Sequence, residues 1–185
     1  MMTKLIFLPI DITIPEEDYT IETGADSNWG RHTIFWNSKI LTVQQAREQK
    51  LGPIMDQLPF KEITFIKYNH QARDVLPHID LVERLNIPEL SHIKENEPAG
   101  YRLVFTGSND SLEVYDNKSW IKTTLPSVPG CYLLNSTATS HRVLNDTGRT
   151  GLYFRGVLDV VKHQDLISRS LLKYKDYAIY QTTSS

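Results

Sequence analysis

The chain has 185 residues, of which 40% are hydrophobic and 23% charged. That length suits one well-buried domain and is short for two, and that balance excludes a disordered or low-complexity chain. A formal net charge of −2 gives no basic footprint, so a nucleic-acid backbone is not the expected partner.

In chain order, residues 3–14 predict a strand, with Leu5-Ile6-Phe7 followed by Ile10, Ile12 and Ile14. Pro9 and Asp11 break this apolar run, which suits neither a signal peptide nor a membrane span, and no other apolar stretch is long enough to cross a bilayer. Residues 15–31 are polar and rich in Gly, Asp and Asn, so a loop is expected there, with a short strand at 33–36. Residues 42–58 have helical spacing, Thr42 as a cap and Gly52-Pro53 as a break. Residues 62–68 are β-branched and aromatic and predict a strand, and 77–81 predict another. The polar segment 82–99, with Pro88 and Pro98, reads as an insertion. Strands are expected at 101–106, 111–115, 120–123, 130–135, 140–144 and 151–161, and a tail helix near 164–175.

A helix followed by a run of short strands predicts a mainly β chain: a β-sandwich or a barrel-like jelly roll with one or two flanking helices. A single domain over 1–185 is expected, with its core at about 60–162, N-terminal strands and helix at 1–59, and a tail at 163–185. Cys131 is the one cysteine, so no intrachain disulfide forms. A lone thiol in an apolar run fits a buried side chain and a reducing, cytoplasmic setting.

Three signals carry chemistry. The first is Pro77-His78-Ile79-Asp80. On a strand, residues two apart share a face. His78 and Asp80 would then present an imidazole and a carboxylate side by side. Alone this spacing is weak, because a surface histidine beside a solvated aspartate is the commoner arrangement. The second is His141, which opens a late strand that a jelly roll can bring to a pair held on an early one. Two imidazoles and a carboxylate on one octahedral face leave three open positions, which suits a non-haem iron(II) oxygenase. The third is Arg149, with Arg155 beyond it. An inward guanidinium requires an anion, and its fork grips a carboxylate at two points. Arg149 alone reads equally well as a solvent-facing turn residue.

Taken in order, Pro77-His78-Ile79-Asp80, Tyr101-Arg102-Leu103, Trp120, Pro129-Gly130, Asn135, His141-x-Val143-x-Asn145, Arg149-x-x-Leu152 and Asp159 resemble the double-stranded β-helix (cupin-like) core of the 2-oxoglutarate/Fe(II) oxygenases. The likeness is greatest to the aspartyl/asparaginyl β-hydroxylase and prolyl-hydroxylase branch, and it covers somewhat under half the chain. It implies that His78, Asp80 and His141 bind iron(II) and that Arg149 holds the distal carboxylate of 2-oxoglutarate. It implies a second arginine near the cosubstrate at Arg102. Arg155 is a rival anchor, because the step from His141 to Arg149 is short for the family. The implied activity is that of a dioxygenase. It would consume O2 and 2-oxoglutarate and hydroxylate a C–H bond of an amino-acid side chain, in a small molecule or a peptide. Two other readings stay open: a cupin-like metalloenzyme that does not use 2-oxoglutarate, and a non-catalytic β-sandwich binding module. His32, His92 and His163 have no placed partner, and His70 lies just upstream of the metal pair.

Overall fold

The computed structural model describes residues 4–19, 36–80, 100–137 and 139–181. β1 (Lys4–Pro9) ends at Pro9, although the Ile10 N–H still donates to the Cys131 carbonyl at 2.9 Å. β2 (Trp36–Leu41) leads into α1 (Val43–Glu48) and α2 (Gly52–Met55). α1 starts on a capping box. The Gln45 N–H donates to the Thr42 hydroxyl at 3.1 Å, and the Thr42 N–H donates to the Gln45 side chain at 2.9 Å. The helix expected over 42–58 is therefore two short helices, divided before Gly52-Pro53 as the sequence predicts.

Next come β3 (Phe60–Gln71), β4 (Val75–His78), β5 (Gly100–Thr106), β6 (Leu112–Tyr115), β7 (Trp120–Lys122), β8 (Gly130–Leu134), β9 (His141–Val143) and β10 (Thr150–Leu158). α3 (Val160–Tyr174) starts on Asp159, whose side chain accepts from the Lys162 N–H at 3.2 Å. A 3-10 turn (Lys175–Tyr177) then leads to β11 (Ile179–Gln181). Among the described residues, no helix is long and apolar enough to cross a membrane.

The strands form two antiparallel sheets, as in a β-sandwich. The larger has the order β11-β1-β8-β5-β10-β3-β2, the smaller β4-β9-β6-β7. Between β3 and β10 the chain passes back and forth: β3, β5, β8 and β10 lie in the large sheet, and β4, β6, β7 and β9 in the small one.

Strand alternation sorts the side chains of the large sheet into two sets. Ile66 and Tyr68, Tyr101 and Leu103, Cys131 and Leu133, and Leu152 and Phe154 pack with Ala46, Ile54 and Leu166 of the helices. This is the outer, helix-covered face. On the inner face, Val104, Tyr132 and Leu134 meet Val75, Leu112, Val114 and Val143 of the small sheet. The same inner face carries a polar group: Lys67 opposite Tyr153, Tyr153 opposite Arg102, and Arg155 two residues along.

Some expectations shift. The strand expected over 3–14 stops at Pro9, and the one expected over 77–81 is β4, which ends at His78. Asp80 leaves that ladder because its N–H donates to the Ser136 carbonyl at 2.9 Å. The short strand at 33–36 falls outside the described residues except for Trp36, the first residue of β2. The insertion at 82–99 and most of the 15–31 loop also lie outside them. The tail helix starts earlier than expected, at Val160.

Gly151 lies where β10 steps out of register with β5. A Cβ there would sit 2.2 Å from the Leu103 carbonyl oxygen, a backbone atom with nowhere to swing. Gly151→Ala is expected to destabilise the protein by about 2–3 kcal/mol. Urea unfolding should show a lower midpoint with an unchanged slope.

Candidate metal centre

β4 and β9 are neighbours in the small sheet, and their register sets His78 directly opposite His141. The two rings lie 4.2 Å apart between centroids. Asp80 follows two residues after His78, and its Oδ1 lies 3.6 Å from His78 Nε2 and 4.0 Å from His141 Nε2. The loop between β8 and β9 holds Asp80 in place. Ser136, itself buried, accepts the Asp80 N–H and donates its hydroxyl to the carboxylate. The local rule that placed His78 and Asp80 on one side is kept, although the strand has ended: Ile79 between them is exposed.

The imidazoles are oriented alike. His78 Nδ1 lies 2.9 Å from the Leu76 carbonyl, and His141 Nδ1 lies 3.4 Å from the Thr139 carbonyl. A carbonyl only accepts, so each Nδ1 carries a proton, and each Nε2 is the ring nitrogen turned toward Asp80 Oδ1. Ring tautomers fixed by a backbone acceptor are the usual support for metal-ligating histidines.

The other carboxylate oxygen has different company. Asp80 Oδ2 accepts from Arg102 at 2.5 Å and lies 3.8 Å from Arg155. Arg155 donates Nε to the Tyr153 hydroxyl. The Tyr153 ring faces both guanidiniums, at 4.7 Å from Arg102 and 4.6 Å from Arg155. Gly100 makes room for that ring, because a Cβ at this position would come within 2.8 Å of it.

Charge states follow from these surroundings. Asp80 keeps 22% of its side-chain surface exposed, yet its electrostatics are those of an interior group. Burial alone would push its carboxyl up. Arg102, His141, the Ser136 hydroxyl and Arg155 together hold it well below the usual carboxylate range. Burial pushes His141 down to about 3, aided by Arg102 and His78 and opposed by Asp80. Burial also brings Arg155 down to about 10, so it stays cationic at neutral pH.

The three side chains can hold a metal ion. One ligand atom from each lies within 4.8 Å of the others. A metal at about 2.0–2.2 Å from nitrogen and oxygen donors asks for neutral imidazoles and an ionised carboxylate, and the surroundings of His141 and Asp80 favour those states in these two groups.

The arginines separate into two groups. Arg102 and Arg155 reach the triad. Arg149 does not. It follows a tight turn with positive φ at Asn145 (54°) and Gly148 (93°). Its guanidinium donates to Ser111 and pairs with Asp146 at 3.5 Å. Asp146 also accepts the Ser111 hydroxyl at 2.5 Å and the Ser108 N–H at 3.1 Å. Arg149 therefore closes a turn. The other motif residues also have structural partners. Trp120 stacks under Arg142 at 4.2 Å, Asn135 is buried with its N–H on the Ile6 carbonyl, and Asp159 caps α3. His70 alternates to the face opposite Lys67, and His163 meets the Tyr101 hydroxyl at 2.7 Å. His32 and His92 lie outside the described residues. Lys67 and Tyr153 are missed by sequence reading. The signal for Lys67 is a cation flanked by Ile66 and Tyr68, and for Tyr153 its two-residue step from Arg155.

No protein-family model matches the chain, and no curated protein or solved structure matches it either.

In the metal-free protein, folded His141 stays neutral down to about pH 3, whereas the unfolded chain takes up that proton near 6.5. Between these values the unfolded state binds more protons, so stability is lost as the pH falls through the window. Asp80 adds a loss in the same direction below its ordinary 3.8. Chelator-treated protein is expected to lose up to about 1.4 kcal/mol per pH unit on acidification below 6.5. His141→Gln should flatten that slope in pH-dependent melting.

Proposed function

We propose that this chain is a 2-oxoglutarate- and iron(II)-dependent dioxygenase that hydroxylates a C–H bond of an amino-acid side chain, free or within a peptide. The observation that carries the reading is the His78–Asp80–His141 group beside two interior guanidiniums. Two imidazoles and a carboxylate form the donor set of a facial triad, which leaves positions open for a chelating keto acid and O2. The passage of β3 to β10 between the two sheets supports a jelly roll, the barrel in which that triad is at home.

Each residue then has a task. Nε2 of His78, Nε2 of His141 and Oδ1 of Asp80 would hold the iron. Arg102 grips Oδ2, which keeps Asp80 ionised and aims its other oxygen at the imidazoles. Arg155 takes the role that the sequence assigned first to Arg149. It is buried, it faces the triad, and the Tyr153 hydroxyl orients its fork toward a carboxylate. When bound, iron(II) and 2-oxoglutarate supply the oxidising chemistry: the keto acid leaves as succinate and carbon dioxide, and one atom of O2 enters the substrate C–H bond. The apolar cluster of Val75, Val104, Leu112 and Val143 closes the space between the sheets and excludes water from that side.

Anaerobic iron(II) with 2-oxoglutarate is expected to give a weak visible charge-transfer band that His78→Ala and His141→Ala abolish. No band in the wild type would overturn the reading. Metal binding with no response to 2-oxoglutarate would favour a cupin-like metalloenzyme instead. Arg155→Met should raise the 2-oxoglutarate needed for half the band by roughly 100-fold. Arg149→Lys, which keeps the turn's charge, should change it by less than about threefold.

A further inference from the structure

A carboxylate can serve a metal through one oxygen or through both. Which of the two Asp80 does depends on what holds its Oδ2. Arg102 lies 2.5 Å from that oxygen and Arg155 lies 3.8 Å from it. Oδ1 is the oxygen turned toward Nε2 of both imidazoles, at 3.6 and 4.0 Å. The Ser136 hydroxyl also donates to the carboxylate, which limits its rotation. The guanidinium that grips Oδ2 is itself fixed. Register sets Arg102 opposite Tyr153, and the Tyr153 ring stands 4.7 Å from it and 4.6 Å from Arg155. Both sides of the Arg102–Asp80 pair are largely shielded from water, at 14% and 22% exposure. An Oδ2 that turned to a metal would leave that shielded guanidinium without its anion, which costs far more than breaking an exposed pair.

We propose that Arg102 is a positioning residue: it keeps Asp80 a one-oxygen ligand and so reserves a metal position for the ligands of the reaction. The proposal rests on the dioxygenase reading, and it gives Arg102 a task other than the cosubstrate contact that the sequence implies. Two imidazoles and one oxygen leave three of the six octahedral positions. A chelating keto acid needs two of them and O2 needs the third. A second oxygen from Asp80 would leave only two, and the keto acid and O2 would then compete. Arginine suits this task because its planar fork meets a carboxylate at a set angle and lies against an aromatic ring, here that of Tyr153. Lysine would bring the charge without the fixed direction.

The test counts the waters on manganese(II) bound to full-length protein, by electron–nuclear double resonance and water-proton relaxation, with no keto acid present. The wild type is expected to carry three waters. N-oxalylglycine, a non-reacting analogue of 2-oxoglutarate, is expected to displace two of them. Arg102→Met should still bind manganese but with two waters, and it should bind N-oxalylglycine roughly tenfold or more weakly. Arg155→Met leaves the Arg102 grip in place, so it should keep three waters although its keto-acid binding falls. Two waters on the wild type, three on Arg102→Met or two on Arg155→Met would each overturn the proposal. So would an Arg102→Met protein that folds and binds no manganese. The wild-type count needs no variant, so it stands even if Arg102→Met fails to fold. Failure of the dioxygenase reading looks different: the wild type would carry three waters and N-oxalylglycine would displace none. A wild type that takes up no manganese would overturn both.

Discussion

The carboxylate of Asp80 is shared between two kinds of partner, and the candidate centre depends on that division. Oδ1 faces the Nε2 atoms of His78 and His141; Oδ2 faces Arg102 and Arg155. A carboxylate taken this far from water would ordinarily protonate. Arg102 prevents that, and the ionised state leaves Oδ1 as a ligand. The same carboxylate relieves Arg155, whose charge burial disfavours. Asp80 and the two guanidiniums thus support one another's charge beside the imidazoles. Removing the carboxylate would leave both guanidiniums without the anion they face, which costs far more than the bond it made.

The large sheet serves the core and the centre with the same strands. Along β10, Leu152 and Phe154 bury against the helices while Tyr153 and Arg155 look inward. Along β5, Tyr101 and Leu103 do the first task and Arg102 the second. Because the alternation is strict, a slip of one residue would exchange the two faces. The apolar outer face therefore locks the polar inner one into place. The irregularities lie where backbone crowding demands them, as at Gly151 against the Leu103 carbonyl and Gly156 against the Glu62 carbonyl. Rigidity of this kind suits a centre whose donors must stay within a few tenths of an ångström of their working positions.

Arg149 and Arg155 show where reading along the chain stops being informative. Both follow His141 on or next to one strand, and both are largely buried. Motif order pointed to Arg149. The partners differ because the Asn145–Gly148 turn carries Asp146 and brings it to Ser108 and Ser111, just before the neighbouring strand β6, so the nearer arginine is captured locally. The farther one has its neighbour Tyr153 and reaches Asp80. The side that Lys67 faces is hidden along the chain for a related reason: a lysine in a strand is usually solvated, and the register with Tyr153 and Arg102 turns it inward.

The sequence by itself determined what depends on near neighbours. Strand periodicity marked most of the strands and their faces, Gly52-Pro53 marked the break between α1 and α2, and the spacing of His78 and Asp80 put an imidazole beside a carboxylate. It could name His141 as a third ligand only by supposing how the sheets fold. Only the tertiary structure decided that His141 stands opposite His78, that Asp80 finds Ser136 and Arg102, and which arginine reaches the centre. The reason is physical. The side a residue faces follows from a two-residue repeat, whereas the residues it meets follow from sheet order and register, which are set by the burial of segments far apart in the chain.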